Sequence, residues 1–244
     1  MNKVWGLLLC FSCSVSFVQG QVTYDAYGAL TRSDQKEKNI YLIFSGHDYQ
    51  EGFEHVLSVL TKYEIKGSFF FTGEFVRSNQ ELVKKIAKGG HYLGAHSDQH
   101  LLYCDWGNRD SLLVDEQLIR QDIMDNLKEL GNLGVHPDIF LPPYEWYNKK
   151  VVEIAKGLGQ LTINFSAGTR SNADYTSPDM DNYVDSSTIL ESVYEYESKA
   201  GLNGFHLLIH PGTDPKREDK FYLQLEGLIN GLEGKGYKFA KLSR

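Results

Sequence analysis

Tyr92-Leu93-Gly94-Ala95-His96-Ser97-Asp98-Gln99-His100 runs from a short apolar stretch straight into two histidines four residues apart. The apolar stretch is too short for a helix and reads as a buried strand. If the chain turns helically after Ala95, the two histidines face the same way and can share one metal through their imidazole nitrogens. The chain holds eight histidines, so such a spacing also arises by chance, and a pair of surface or strand-end histidines is the plain alternative.

Working outward, further short β-rich runs lie at Ile40 to Phe44, Ser68 to Phe71, Ile139 to Leu141, Leu161 to Phe165, Phe205 to Ile209 and Tyr237 to Ala240. Helical patterns separate them: Phe53 to Tyr63, a segment opened by Ser78 or Asn79 and stopped by Gly89-Gly90, and Asp115 to Leu130. Strands alternating with helices imply an α/β fold with a parallel sheet, either a (β/α) barrel or an open doubly wound sheet. Residues 172 to 185 are polar and loop-like, an insertion between elements more than a domain boundary, so residues 21–244 read as a single domain.

Lys3 followed by an apolar run from Val4 to Cys10, with small or apolar residues up to Gly20, predicts a secretory signal over residues 1–20. A lipoprotein reading on Cys10 or Cys13 fits poorly, because Leu-Leu-Leu and Cys-Phe-Ser precede them. The expected location is therefore periplasmic or extracellular. Removing the leader leaves Cys104 without a partner, so stability must come from the core. No later apolar stretch is long enough to span a bilayer. The formal charge of −7 is the wrong sign for a phosphate-backbone binder, which argues against nucleic acid as a partner.

Other polar residues also end strands. His210 closes Phe205 to Ile209, Pro142-Pro143-Tyr144 follows Ile139 to Leu141, and Asp48 lies just beyond Phe44. In a barrel these tips share one face, where such folds build their sites. That convergence raises the metal reading above chance.

These residues resemble the polysaccharide deacetylases, carbohydrate esterase family four. His96-Ser97-Asp98-Gln99-His100 is similar to the family's H-S/T-x-x-H metal motif. His206-Leu207-Leu208-Ile209-His210 approximates L-x-L-x-H, whose histidine is the catalytic acid, and Leu141-Pro142-Pro143-Tyr144 resembles R-P-P-Y, whose tyrosine N–H helps bind the oxyanion. The resemblance spans about Ile40 to Leu242. It implies a distorted parallel (β/α) barrel and a divalent metal, zinc in the family's manner, with an acetylated polysaccharide or oligosaccharide as substrate.

Two departures stand out. Where the family carries T-F-D-D-G, with a base and a metal-binding aspartate, this chain reads Ile43-Phe44-Ser45-Gly46-His47-Asp48. Ungapped, Ser45 and Gly46 take the carboxylate positions; with two extra loop residues Asp48 becomes the third ligand beside His96 and His100, and His47 is its rival. The family's arginine, which orients the base, is Leu141 here. Glu145 is the nearest carboxylate able to replace the base, although a solvated loop glutamate is the simpler reading of it, and Asp48 could combine both roles. Asp174-Tyr175 is the counterpart of an Asp-Trp pair in which the aspartate orients the catalytic histidine, raising its pKa.

Tyr103, Trp106, Tyr144, Trp146 and Tyr147 cluster beside these motifs and suit a glycan cleft, with loop packing as the alternative. The resulting expectation is hydrolysis of an amide or ester, with His210 protonating the leaving group. Two rivals are a secreted glycan-binding protein without turnover and a glycoside hydrolase using Glu145 and Asp48. The second leaves the histidine pair unexplained. Neither N- nor O-acetyl specificity, nor the oligomeric state, is encoded in any recognisable motif.

Overall fold

The computed structural model describes residues 21–244; the leader expected over residues 1–20 lies outside them. The strands are β1 (Thr23–Tyr24), β2 (Leu30–Arg32), β3 (Asn39–Gly46), β4 (Ser68–Phe71), β5 (Tyr92–Ala95), β6 (Ile139–Phe140), β7 (Leu161–Thr162), β8 (Phe205–Ile209) and β9 (Lys238–Ala240). The α-helices are α1 (Phe53–Lys62), α2 (Gly73–Ser78), α3 (Gln80–Lys88), α4 (Glu116–Asn132), α5 (Lys149–Gly157), α6 (Ser186–Ala200) and α7 (Leu225–Glu233).

One sheet runs β1-β2-β8-β3-β4-β5-β6-β7, with β9 also paired to β3. The pairings from β8 through β7 are parallel, whereas β1-β2 and β2-β8 are antiparallel. A bridge between Leu30 and Ile163 joins the far ends, so the sheet curls into a distorted barrel. The expected architecture is observed, with β1 and β2 added as an antiparallel closure.

Side chains alternate across the sheet and divide the apolar residues into two layers. Ile43, Phe70, Ile139, Leu141, Ile163 and Leu208 fill the barrel interior. Leu42, Phe44, Phe69, Phe71, Leu207 and Ile209 face outward against the helices. The interior is tight: a Cβ at Gly94 would lie 2.1 Å from the Phe70 ring.

Helix starts follow from side-chain caps that satisfy otherwise unpaired N–H groups. Thr72 accepts from the Phe75 N–H, Asp115 from Leu118, Asn148 from Val151 and Asp185 from Thr188. The strands therefore deliver their C-terminal ends, with the loops that follow, to one face of the barrel.

Candidate active site

Four histidines gather at that face. The His96 and His100 rings lie 4.9 Å apart between centroids, and His47 stacks on His100 at 4.5 Å. His210 is close enough for its charge to act on both His96 and His100.

The histidine pair is not held by a helical turn, as the spacing suggested. Residues 96–100 form a loop in which Ser97 and His100 adopt φ of 69° and 55°. Such left-handed backbone is costly for residues other than glycine and needs support from its surroundings. Helix α4 provides it. Asn126 accepts from the His96 N–H and donates to the Phe71 carbonyl, and Asp122 accepts from the N–H groups of Asp98 and Gln99 and from the Tyr103 hydroxyl. Arg77 grips the Asp98 carboxylate with two bonds, at 2.7 and 3.0 Å.

Asp122 and Asn126 were not singled out from the sequence. Their signal is a pair of polar residues one turn apart on the buried side of an amphipathic helix, where burial requires partners.

Burial holds His96 neutral, with its pKa lowered to about 3, and neighbouring His210 and His47 act in the same direction. Its Nδ1 donates to the Leu141 carbonyl at 2.7 Å, which leaves Nε2 with a free lone pair. His100 is likewise pushed well below its ordinary value, by burial first and then by the other histidines. Two neutral imidazoles suit a divalent metal in donor chemistry.

The expected third ligand, Asp48, is not turned toward the histidine pair. The Asp48 side chain is 67 % exposed and touches His47 Nε2 at 3.3 Å, whereas the His47 ring lies against His100. Its Nδ1 is 3.2 Å from the Thr72 hydroxyl. Among the described residues, no three His, Cys, Asp or Glu side chains converge as a ready metal cluster.

The expectation that Ser45 and Gly46 occupy the family's two carboxylate positions meets a steric limit at Gly46. Gly46 ends β3 facing the helices, and a Cβ there would lie 2.9 Å from Phe53 and 3.0 Å from Phe71. No carboxylate fits at 46 without displacing aromatic core. Acidic chemistry is thus confined to the loop beyond, at Asp48, or to another strand end.

On the other side of the group, Asp174 accepts from both the Nδ1 and the backbone N–H of His210, at 2.6 and 2.8 Å. Asp174 is fully buried in the polar loop before α6. Burial alone would lower the His210 pKa; the charge and hydrogen bond of Asp174, aided by Glu145, overcome this and raise it. Burial lifts the Glu145 carboxyl to about 7, with His210 opposing and Asp174 reinforcing the rise. Glu145 is therefore a neighbour of this pair, not a freely solvated loop glutamate. Tyr144 and Glu145 both have left-handed backbone, φ 58° and 51°, so the Pro142-Pro143-Tyr144-Glu145 turn is a second strained segment at the site.

Tyr175 lies edge-on to His210 at 5.6 Å, and Tyr144 sits 4.4 Å from His100. Tyr103 and Tyr147 are buried and belong to the core, while Trp106 is exposed.

The sequence model of the family described as polysaccharide deacetylase matches residues 32–163. The uncharacterized protein YlxY of Bacillus subtilis (strain 168) is 32% identical over 192 residues, covering 79% of this chain and 51% of that protein, so the chain spans about half the length of this relative. The peptidoglycan-N-acetylmuramic acid deacetylase PdaA of the same organism is 27% identical over 222 residues, covering 89% of this chain and 75% of that protein. Among solved structures, a CE4 family pseudoenzyme from Bacillus anthracis superposes with a TM-score of 0.69 at 21% identity, covering 89% of this chain and 68% of that one, a likeness of fold. Over more than half of its length, this chain belongs to the polysaccharide deacetylase family.

Proposed function

We propose that the chain hydrolyses acetyl groups, N- or O-linked, from an acetylated glycan, with His210 as proton donor and Glu145 as proton acceptor. The observation that carries this reading is the buried Asp174–His210 pair with the Glu145 carboxyl beside it, at the face where His96 and His100 are held neutral. A structural role alone gives no reason to gather a histidine whose pKa is raised, a carboxyl near neutrality and two unprotonated imidazoles at one strand-end face.

His96 and His100 would hold a divalent metal such as zinc, with His47, whose ring lies against His100, as third ligand in preference to the exposed Asp48, one of its nitrogens leaving Thr72 or Asp48 to do so. When bound, it supplies Lewis acidity toward the acyl oxygen and a more acidic water. Glu145 accepts the proton of the attacking water, since a carboxyl at about 7 is matched to work near neutrality. The Tyr144 N–H, presented by its left-handed backbone, donates to the developing oxyanion. His210, whose pKa Asp174 raises against burial, gives its proton to the departing amine or hydroxyl.

The deacetylase relatives support this substrate class. Export, with action at the cell surface or outside, follows from the leader-like residues 1–20. The test is acetate release from a panel of chitooligosaccharides, peptidoglycan strands and acetylated xylan, with and without chelator.

One observation favours a second reading, a glycan-binding protein without turnover: Gly46, which the ungapped reading sets at a carboxylate position of the family, has no room for a side chain. Glycan binding without acetate release from any member of the panel would select it.

A further inference from the structure

A continuous series of aromatic contacts leads outward from the histidine group. His100 touches Tyr144 at 4.4 Å between centroids, Tyr144 meets Trp106 edge-on at 5.9 Å, and Trp106 packs against Trp146 at 5.2 Å with 34° between planes. Trp106 is 58% exposed and Tyr144 44%.

The exposure of Trp106 is built in. Asp105, its neighbour, accepts from the N–H groups of Gly107 and Asn108 at 2.8 and 2.7 Å, closing a tight turn around it. The base of the loop is pinned by a bridge between Cys104 and Leu112 and by the Asp105 N–H donating to the Ser111 carbonyl. Trp146 is fixed from behind: its Nε1 donates to the Asp105 carbonyl, and Arg109 lies 4.0 Å from its ring centroid. Packing of the loop accounts for Trp146, which is half-buried, but not for Trp106, most of whose surface is left in water.

A large exposed indole, set on a hydrogen-bonded turn and continuous with a reaction site, is a surface prepared for a ligand with an apolar face. A pyranose ring has such a face, formed by its C–H groups, while its hydroxyls remain in water. A protein partner would need no continuity with the histidines; a glycan threaded past them does.

We propose that Trp106, flanked by Tyr144 and Trp146, forms a stacking subsite for a sugar unit adjacent to the one that is deacetylated. This rests on the glycan-directed reading above and names the residue that makes the site select a chain over a single sugar. It assigns Trp106 to binding, with no part in proton transfer.

The experiment compares the parent, Trp106→Ala and Trp106→Phe by calorimetric titration and by acetate release, using N-acetylglucosamine, its pentamer, peptidoglycan strands and acetylated xylan as probes. For the best-bound polymer, Trp106→Ala is expected to raise Kd and KM roughly 2- to 10-fold, the range of one aromatic stacking contact, with kcat changed much less. Trp106→Phe recovers most of the loss. Equal affinity of parent and folded Trp106→Ala for every polymer overturns the subsite, as does a parent that binds no probe. Release of acetate with unchanged KM in Trp106→Ala removes the subsite and leaves the hydrolase standing. Trp106-dependent binding without any release does the reverse.

Discussion

The Asp174 carboxylate holds His210 twice, accepting from the imidazole Nδ1 at 2.6 Å and from the backbone N–H of the same residue at 2.8 Å. The second bond fixes where β8 ends; the first fixes which nitrogen of His210 faces the other histidines. Nδ1 is engaged with Asp174, so Nε2 is the atom left to donate a proton toward the site.

Asp174→Asn tests the electrostatic half of that relationship. His210 acts as an acid, so activity is lost as pH rises through its pKa. Asp174 raises that pKa against the effect of burial, so its neutralisation lowers it. The alkaline limb of the acetate-release profile should move to lower pH while the fold, judged by circular dichroism, is kept. An unmoved limb would separate His210 from the alkaline limb.

Glu145→Gln addresses the other proton. As a base with a pKa of about 7, Glu145 sets the acid limb, and its loss should cost about 10²–10⁴-fold in kcat. Stability gives an independent readout. A half-buried carboxyl with a raised pKa keeps its proton in the folded state after the unfolded chain has lost it, so the parent loses stability as pH rises from about 4.5 to about 7. The melting temperature of Glu145→Gln relative to the parent should therefore climb over that interval and level off above it. A difference independent of pH would mean that the carboxyl is not held back. If Asp48→Asn abolishes turnover and Glu145→Gln does not, the base is Asp48.

Gly46→Asp, which sets a carboxylate where the ungapped reading places one of the family's, is expected to destabilise the protein by about 1–3 kcal/mol through overpacking against Phe53 and Phe71, without raising activity. Thermal melting with an acetate assay decides this; a stable, more active variant would mean that the aromatic wall yields.

Zinc titration by calorimetry distinguishes His47 from Asp48. Loss of a ligand should exceed the roughly 10–100-fold that loss of an outer partner costs, so His47→Ala is expected to weaken binding more than Asp48→Asn. The opposite order would return the third position to Asp48.

The elements legible in the sequence are those whose local pattern is self-sufficient. Ser68–Phe71, Tyr92–Ala95 and Phe205–Ile209 are continuous apolar runs, and each is a strand with the same ends as read. β2 is three half-buried residues paired with the two-residue β1 and with Phe205 and Ile163, which are distant in sequence, so its local pattern is too short to mark it. α2, at six residues, is too short for a helical period to be seen.

At the site, residue types were readable and their backbone was not. His96 and His100 could be named from spacing, but Ser97 does not advertise left-handed φ, and the support from Asp122 and Asn126 comes from a helix more than twenty residues further along the chain. The offset at Asp48 was ambiguous for a similar reason: a loop beyond a strand end can turn either of two neighbours inward, and here His47 lies against His100.

The most direct measurement is acetate release by the parent and by His210→Ala from the same acetylated glycan, at equal metal content. Parent turnover, with a fall of about 10²–10⁴-fold in kcat for the variant and little change in glycan affinity, is the predicted result. A folded His210→Ala that releases acetate as fast as the parent would contradict it.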